Sequence, residues 1–495
     1  LQGWRDFRII VYYSNLDRDF PQDNVYSMMV KHVLMNQIVD TLQNNLKVNG
    51  IGTIAGLRTD SCGSFATIPL NSTGIINTDL IIFVKAENTP GQQYVAQAGP
   101  CTLNLDTKRP SSGVITFNFA NMGTAAENLD ENFRLAMHEV MHILFFSPGL
   151  YPFFVGYSQQ NPPYIKNNEV YVMRTPKLVD FARSHYGCDT ITGVPLEDNG
   201  GAGSLGAHFE RTWVGNEVMS AQVNVQMIFS GFVGALLEDS GWYQVGPGFV
   251  EPLDWGYKKG CAFVSPEFLA SRCAALSFSE YCPPQASNKI VCTGDFQSVT
   301  LCEENPFANS CMIALPTRTG FCSRDVSSNF VISSNIEKKG AGSRCVPVDV
   351  TTLSGQKVSA GGCFPVSCEG NSLVVTAAGN KFTCLSEGQK ITVIEQIVIN
   401  CPSPQAFCEE FARQSCGGSD CSGAGSCKND GKCRCRFGFL GDHCANKIDK
   451  CTIPSDSLCQ QYTGLNSTPE TTPNPTPDPT PTPTPDPTPT PTPDP

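Results

Sequence analysis

The chain has no run of about 18 consecutive apolar residues, so no segment of it is expected to span a membrane. It is poor in positive charge. Lys and Arg number 34 against 46 Asp and Glu, for a net charge of −12 and a pI near 5.0. That balance excludes nucleic acid and anionic membrane surfaces as expected partners. Cysteine is scarce in the first half: of 24, only Cys62, Cys101 and Cys188 precede Cys261. The crowded second half contains no Cys-x-x-Cys pair at zinc-finger spacing, so those cysteines read as disulfides and not as ligands. Dense, irregularly spaced cysteine points to an oxidising compartment, hence to a secreted or cell-surface protein. The triplets Asn71-Ser72-Thr73 and Asn466-Ser467-Thr468 are candidate glycosylation acceptors and fit secretion. Leu1 is not a start residue, which predicts a processed form.

What is present begins with length. The 495 residues, 40% of them apolar, can fill about two to four domains. The organising stretch is His138-Glu139-Val140-Met141-His142. Leu129, Phe133, Met137, Val140 and Leu144 recur at helical steps around it, predicting a helix with one buried face. Four residues apart on a helix, His138 and His142 stand one above the other and can hold one metal ion. Imidazole nitrogens suit zinc. Glu139 can reach a water on that metal as general base. Hydrolytic zinc needs a third ligand and one open position. The glycine-rich stretch Asp198–His208 offers His208 as a candidate, or is a plain flexible connection.

Ahead of that helix, Phe7–Tyr13 reads as a strand, Asp23 as the cap of a helix running to Leu46 and closed by Gly50, and Asp79–Val84 and Gly113–Phe119 as strands. His32 and the helix methionines read as structural. The order predicts an α+β sheet with the histidine helix packed beside it. After Leu144, Ser147-Pro148-Gly149 breaks the helix, and 151–164 reads as irregular and superficial.

Gly-x-His-Phe-Glu-Arg at His208, Glu217-Val218-Met219-Ser220, Leu237–Tyr243 and Trp255–Cys261 resemble the leishmanolysin family of metzincin zinc proteases, from about Arg8 to about Cys408. The resemblance implies one Zn2+ held by His138, His142 and His208, with Glu139 as general base and Met219 in an apolar turn under the metal. One departure stands out: metzincins place glycine three residues after the second histidine, and here that residue is Phe145. A bulky residue at positive φ costs about 1–2 kcal/mol, so the helix is expected to continue and turn at Pro148-Gly149. Cys62 and Cys101 are the only cysteines before the helix. Cys188 is alone in the insertion, and Cys261 opens the next region. With the family's layout, these give Cys62–Cys101 and Cys188–Cys261 as candidate pairs.

From Cys261 the sequence resembles the family's cysteine-rich domain, mainly β, with strands such as Ser372–Thr376 and Lys390–Ile394. Cys416 to Cys444 resembles an EGF-like module, read as a spacer or as a binder of a protein partner. From Thr468 a Thr-Pro and Asp-Pro repeat predicts a disordered, polyproline-like stalk, with any surface attachment beyond Pro495. The expected organisation is therefore 1–145 with the zinc helix, 146–260 with the insertion, third histidine and Met-turn, 261–410 cysteine-rich, 411–448 EGF-like, 449–467 a short Cys-containing tail, and 468–495 stalk. The expected activity is endopeptidase action on proteins or peptides. The competing expectation is a catalytically silent surface glycoprotein of the same fold, used for adhesion or as a structural component.

Overall fold

An apolar run without a polar face, residues 80–84, lies inside the sheet that carries the site. Strands β1 (Ile9–Tyr12), β2 (Leu80–Glu87), β3 (Ala96–Leu103) and β4 (Pro110–Asn118) lie in the order β1-β2-β4-β3. β1/β2 and β2/β4 are parallel, and β3 runs antiparallel to β4 at the edge. Leu80 to Val84 are buried on both faces, as parallel strands covered on both sides require. The computed structural model describes residues 3–447 except 22, 50–53, 56–61, 63–74, 93, 125–127, 168–169, 202, 223, 266–278, 283–288, 325–331, 333–334, 418–419 and 437–438. The described residues all lie within one compact unit, Leu1–Asp449. Gly50, Asn71, Asn466, the tail 449–467 and the stalk 468–495 lie outside the described residues.

Helix α1 covers residues 25–45 in three pieces: an α-turn Val25–Met28, a π segment Met29–Leu34 and an α segment Met35–Asn45. Its cap is Asn24, not Asp23: the Asn24 carboxamide oxygen accepts from the backbone N–H of Tyr26 and Ser27. Leu46 is already in a strand, Leu46–Val48.

Helix α2 (Leu129–Leu144) packs on β3 and β4. Gly113 in β4 permits the approach, because a Cβ there would overlap the Ile143 side chain. The periodicity predicts one buried face, but 13 of the 16 residues are buried, Arg134 included. The sheet covers one side and downstream segments cover the other. The helix ends at Leu144 without extension. Phe145 takes φ −163°, an extended value open to any side chain, and is fully buried. Both Phe145 N–H and Phe146 N–H donate to the Met141 carbonyl. The chain thus leaves the helix at the metzincin position with no glycine and no positive φ.

The 151–164 stretch is not superficial throughout. Tyr151 and Phe154 are buried, and the Tyr151 hydroxyl donates to the Gly206 carbonyl at 3.0 Å. Among the helices with no sequence expectation are α3 (Pro176–Tyr186), opened by Pro at its first turn and closed by Gly187 at φ 69°, and α4 (Gly231–Asp239), capped by Ser230.

The cysteine-rich region is mainly β. Strands β5 (Ser343–Thr351), β6 (Lys357–Glu369), β7 (Ser372–Ala377), β8 (Asn380–Cys384), β9 (Lys390–Ile394) and β10 (Ile397–Asn400) form an antiparallel sheet in the order β8-β7-β6-β5-β10-β9. Val346, Phe364, Val375 and Phe407 fill its core. Disulfides Cys292–Cys345, Cys322–Cys363, Cys368–Cys408 and Cys384–Cys401 staple it. Helix α5 (Pro404–Arg413) crosses the boundary expected at 410. Beyond it, Cys416–Cys427, Cys421–Cys433 and Cys435–Cys444 close a small hairpin module. This module packs against the body: Ser426 hydrogen-bonds Arg134 of α2 and Glu251.

Candidate metal centre

His138 and His142 project from α2 at successive turns, and His208 comes in on the loop that follows α3. Leu196 bridges Phe209 in antiparallel fashion, and Glu197 N–H donates to the His208 carbonyl at 2.9 Å, so the two ends of the loop are tied together. The His138 Nε2 atom lies 3.1 Å from His142 Nε2 and 3.2 Å from His208 Nε2. Each Nδ1 faces a backbone carbonyl: Val218 at 2.5 Å for His138, Phe146 at 2.7 Å for His142, Ser204 at 3.3 Å for His208. A carbonyl only accepts, so each Nδ1 carries its proton and each Nε2 keeps a lone pair. The Phe146 carbonyl reaches His142 because the chain turns at Phe145.

Burial, with His142 next to it, pushes His138 down to about 3, and burial also lowers His142 and His208. All three are therefore neutral at pH 7, the form that binds a metal. Zinc bonds of about 2.0–2.1 Å in tetrahedral array set nitrogens roughly 3.3 Å apart, so the donor set fits one zinc ion. His32 and His443 are exposed, and His185 is spent on the Trp255 carbonyl at 2.8 Å.

Glu139 is 8% exposed. Burial pushes its carboxyl up to about 8, offset in part by the backbone N–H of Ala98 on β3. A cation at the histidines would draw it back down. Met219 is fully buried in the 217–220 turn, and its carbonyl accepts from Phe209 N–H at 2.9 Å, one residue past His208. Cys62 is bonded to Cys101, and Cys188 to Cys261.

Several participants had no sequence expectation. Edge strand β3 lies beside Glu139. Arg134, behind the histidines, pairs with Glu251 at 2.8 Å and Asp130 at 3.1 Å. Glu197, Asp198 and Glu210 bring carboxylate oxygens within 4.8 Å of one another beneath the His208 loop. Burial, then Glu210, pushes Glu197 up to about 8. Glu217 stands inside a motif quoted for its methionine alone.

The geometry defines a class: a three-histidine centre with a carboxylate beside it, on a helix under an antiparallel edge strand. The chain belongs to the leishmanolysin family, whose model matches residues 17–304. That family is one of zinc metalloproteases. Among curated relatives, the leishmanolysin of Leishmania chagasi is 33% identical over 256 residues, covering 50% of this chain and 41% of that protein. The leishmanolysin-like peptidase of Drosophila pseudoobscura pseudoobscura is 28% identical over 275 residues, covering 46% and 40%. The leishmanolysin of Leishmania tropica is 27% identical over 352 residues, covering 65% and 52%. The chain thus spans about half or less of the length of the relatives it matches.

Proposed function

We propose that this chain is a zinc-dependent endopeptidase acting outside the cell, secreted or at a cell surface, on protein or peptide substrates. The observation that carries the reading is the convergence of three Nε2 atoms whose Nδ1 partners are all backbone carbonyls. His138, His142 and His208 would hold the ion. When bound, zinc supplies Lewis-acid polarisation of a carbonyl and acidifies water. Glu139 takes the proton from the attacking water and hands it to the leaving amine. The Ala98 N–H orients the Glu139 carboxylate. β3 pairs only with β4 among the described residues, so its outer edge can take an extended peptide as an added strand. Met219 serves as apolar floor, as the family implies.

The disulfide framework supports the extracellular setting. First-to-third, second-to-fourth and fifth-to-sixth bonding across Cys416–Cys444, with its hairpin, supports an EGF-like module within 411–448. The silent-glycoprotein reading is not favoured, since the chain retains both the donor set and Glu139. The test is metal analysis with peptide hydrolysis. One zinc per chain is expected, with cleavage abolished by a strong chelator and restored by added zinc. A purified, folded chain with neither stoichiometric zinc nor cleavage sinks the proposal.

A further inference from the structure

The turn 217–220 touches the supports of two histidines. The Val218 carbonyl accepts from His138 Nδ1 at 2.5 Å, and the Met219 carbonyl accepts from Phe209 N–H beside His208. Val218 C=O and Met219 N–H belong to one peptide unit. Such a unit is planar and trans, so its C=O and N–H point in opposite directions. Fixing the N–H on one side aims the carbonyl on the other.

The group that fixes it is a carboxylate. Glu217 is fully buried. Its Oε2 accepts from Met219 N–H, and its Oε1 accepts from the Ser230 hydroxyl at 3.0 Å. The backbone N–H groups of Ser230 and Val233 bond it as well. These are at the start of α4, where unsatisfied N–H groups and the helix dipole favour a carboxylate. The donors it meets are neutral. Burial pushes its carboxyl up to about 8, and the hydrogen bonds from Met219, Ser230 and Val233 offset that in part.

We propose that Glu217 is a positioning residue of the metal centre: it clamps the 217–220 turn to the start of α4 and so aims the Val218 carbonyl at His138. A side-chain oxygen accepting from the Met219 N–H also makes the carbonyl of the same unit a better acceptor for His138 Nδ1. This inference rests on the reading of His138, His142 and His208 as ligands.

Glu217→Gln tests it. Gln offers one accepting oxygen where Glu offers two, so either the Met219 side or the α4 side loses its acceptor. Loss of such an outer partner weakens metal binding about 10–100-fold. Competition with a chromophoric chelator should read that weakening for zinc. In the hydrolysis assay kcat should fall with KM nearly unchanged, because Glu217 does not meet substrate. In the metal-free protein, hydrogen exchange at the Met219 amide should speed up. A role in stability alone would lower Tm while leaving zinc affinity and kcat of the folded protein as they were, and that result overturns the proposal. Should Glu217→Gln fail to fold, Ser230→Ala decides: it removes one donor to Oε1 and should weaken zinc binding by a smaller factor, and unchanged affinity there also overturns it. A wild-type chain that binds no zinc defeats the reading of the centre, whereas wild-type zinc binding with an indifferent Glu217→Gln defeats this inference alone.

Discussion

The two sides of α2 bury polar groups by opposite rules. Toward the carboxyl end stand Glu139 and the neutral imidazoles of His138 and His142, each with one nitrogen fixed by a carbonyl and the other's lone pair uncommitted. One turn earlier, Arg134 is a buried cation whose donors meet Glu251, Asp130, the Met227 carbonyl at 2.5 Å and the Ser426 hydroxyl. Arg434 reaches the same Glu251 from the small disulfide module. The first side keeps donor capacity in reserve for an ion. The second is closed, and it uses a segment some 290 residues downstream to close. A helix can be buried all round and still hold a reactive centre, provided that the buried cation beside it is paired with acids.

The sharpest way to separate the two sides is to change one carboxylate on each. Glu139→Gln should retain zinc and fold, yet lose roughly 10²–10⁴-fold in peptide hydrolysis, the range for a positioned acid–base group. Retained turnover at the wild-type rate would remove Glu139 from the chemistry. Glu251→Gln should do the reverse. It leaves Arg134 and Arg434 without their shared anion, and removing one partner of a buried pair costs about 3–5 kcal/mol of stability. Chemical denaturation reads the loss, while turnover per folded molecule stays close to wild type. Should Glu251→Gln instead silence a fully folded enzyme, the two sides are coupled and the contrast is wrong.

Acid should take them apart in sequence. Burial alone would raise Glu251, but Arg134, Arg434 and the Ser426 hydroxyl outweigh it and hold the carboxyl at about 2 against 4.5 when unfolded. A depressed folded pKa means stability present above about 4.5 and lost as pH falls toward 2. His138, buried beside His142, is held at about 3 against 6.5. Its neutral form belongs to the folded state, so its contribution is present above about 6.5 and begins to fall away below that, two pH units before the ion pair. Stability measured in denaturant from pH 7 to pH 3 should decline in the metal-free protein already by pH 5.5. The difference between wild type and Glu251→Gln should stay constant to about pH 5 and shrink below it. A difference that grows on acidification would contradict the sign assigned to Glu251.

What could be foreseen from sequence was what depends on local spacing. The helical repeat from Leu129 to Leu144 and the four-residue step from His138 to His142 are short-range signals, and both stand in the structure. β1, β2 and β4 announced themselves through apolar residues. β3 did not: Ala96-Gln97-Ala98-Gly99-Pro100-Cys101 has little strand propensity, and its identity as a strand comes from pairing with β4. The Arg134–Glu251 pair joins residues 117 apart, and no periodicity carries that distance. Phe145 misled for a specific reason. Positive φ was assumed because glycine usually stands there, whereas a residue at φ −163° followed by the Phe146 carbonyl makes the same exit. Glycine is one solution to leaving the helix, and here the packing of a buried phenylalanine is another.

The smallest effect is expected at the far end, beyond both sides of α2. From Thr468 the chain is Thr, Pro, Asp and little else. Such a segment buries almost no apolar surface to offset its ordering entropy, and proline at nearly every second position removes backbone donors and fixes φ. Extended as polyproline at about 3.1 Å per residue, its 28 residues reach roughly 87 Å. Among the described residues, the body's cross-region contacts, Ser426 and Arg434 on Glu251 among them, lie upstream of Cys444. Ending the chain after Cys459 should therefore change stability by less than about 0.5 kcal/mol, the range of a surface change, and leave peptide hydrolysis at the wild-type rate. A Tm that drops by several degrees, or a loss of turnover in solution, would mean that the repeat packs against the body and that its role is structural and not that of a spacer.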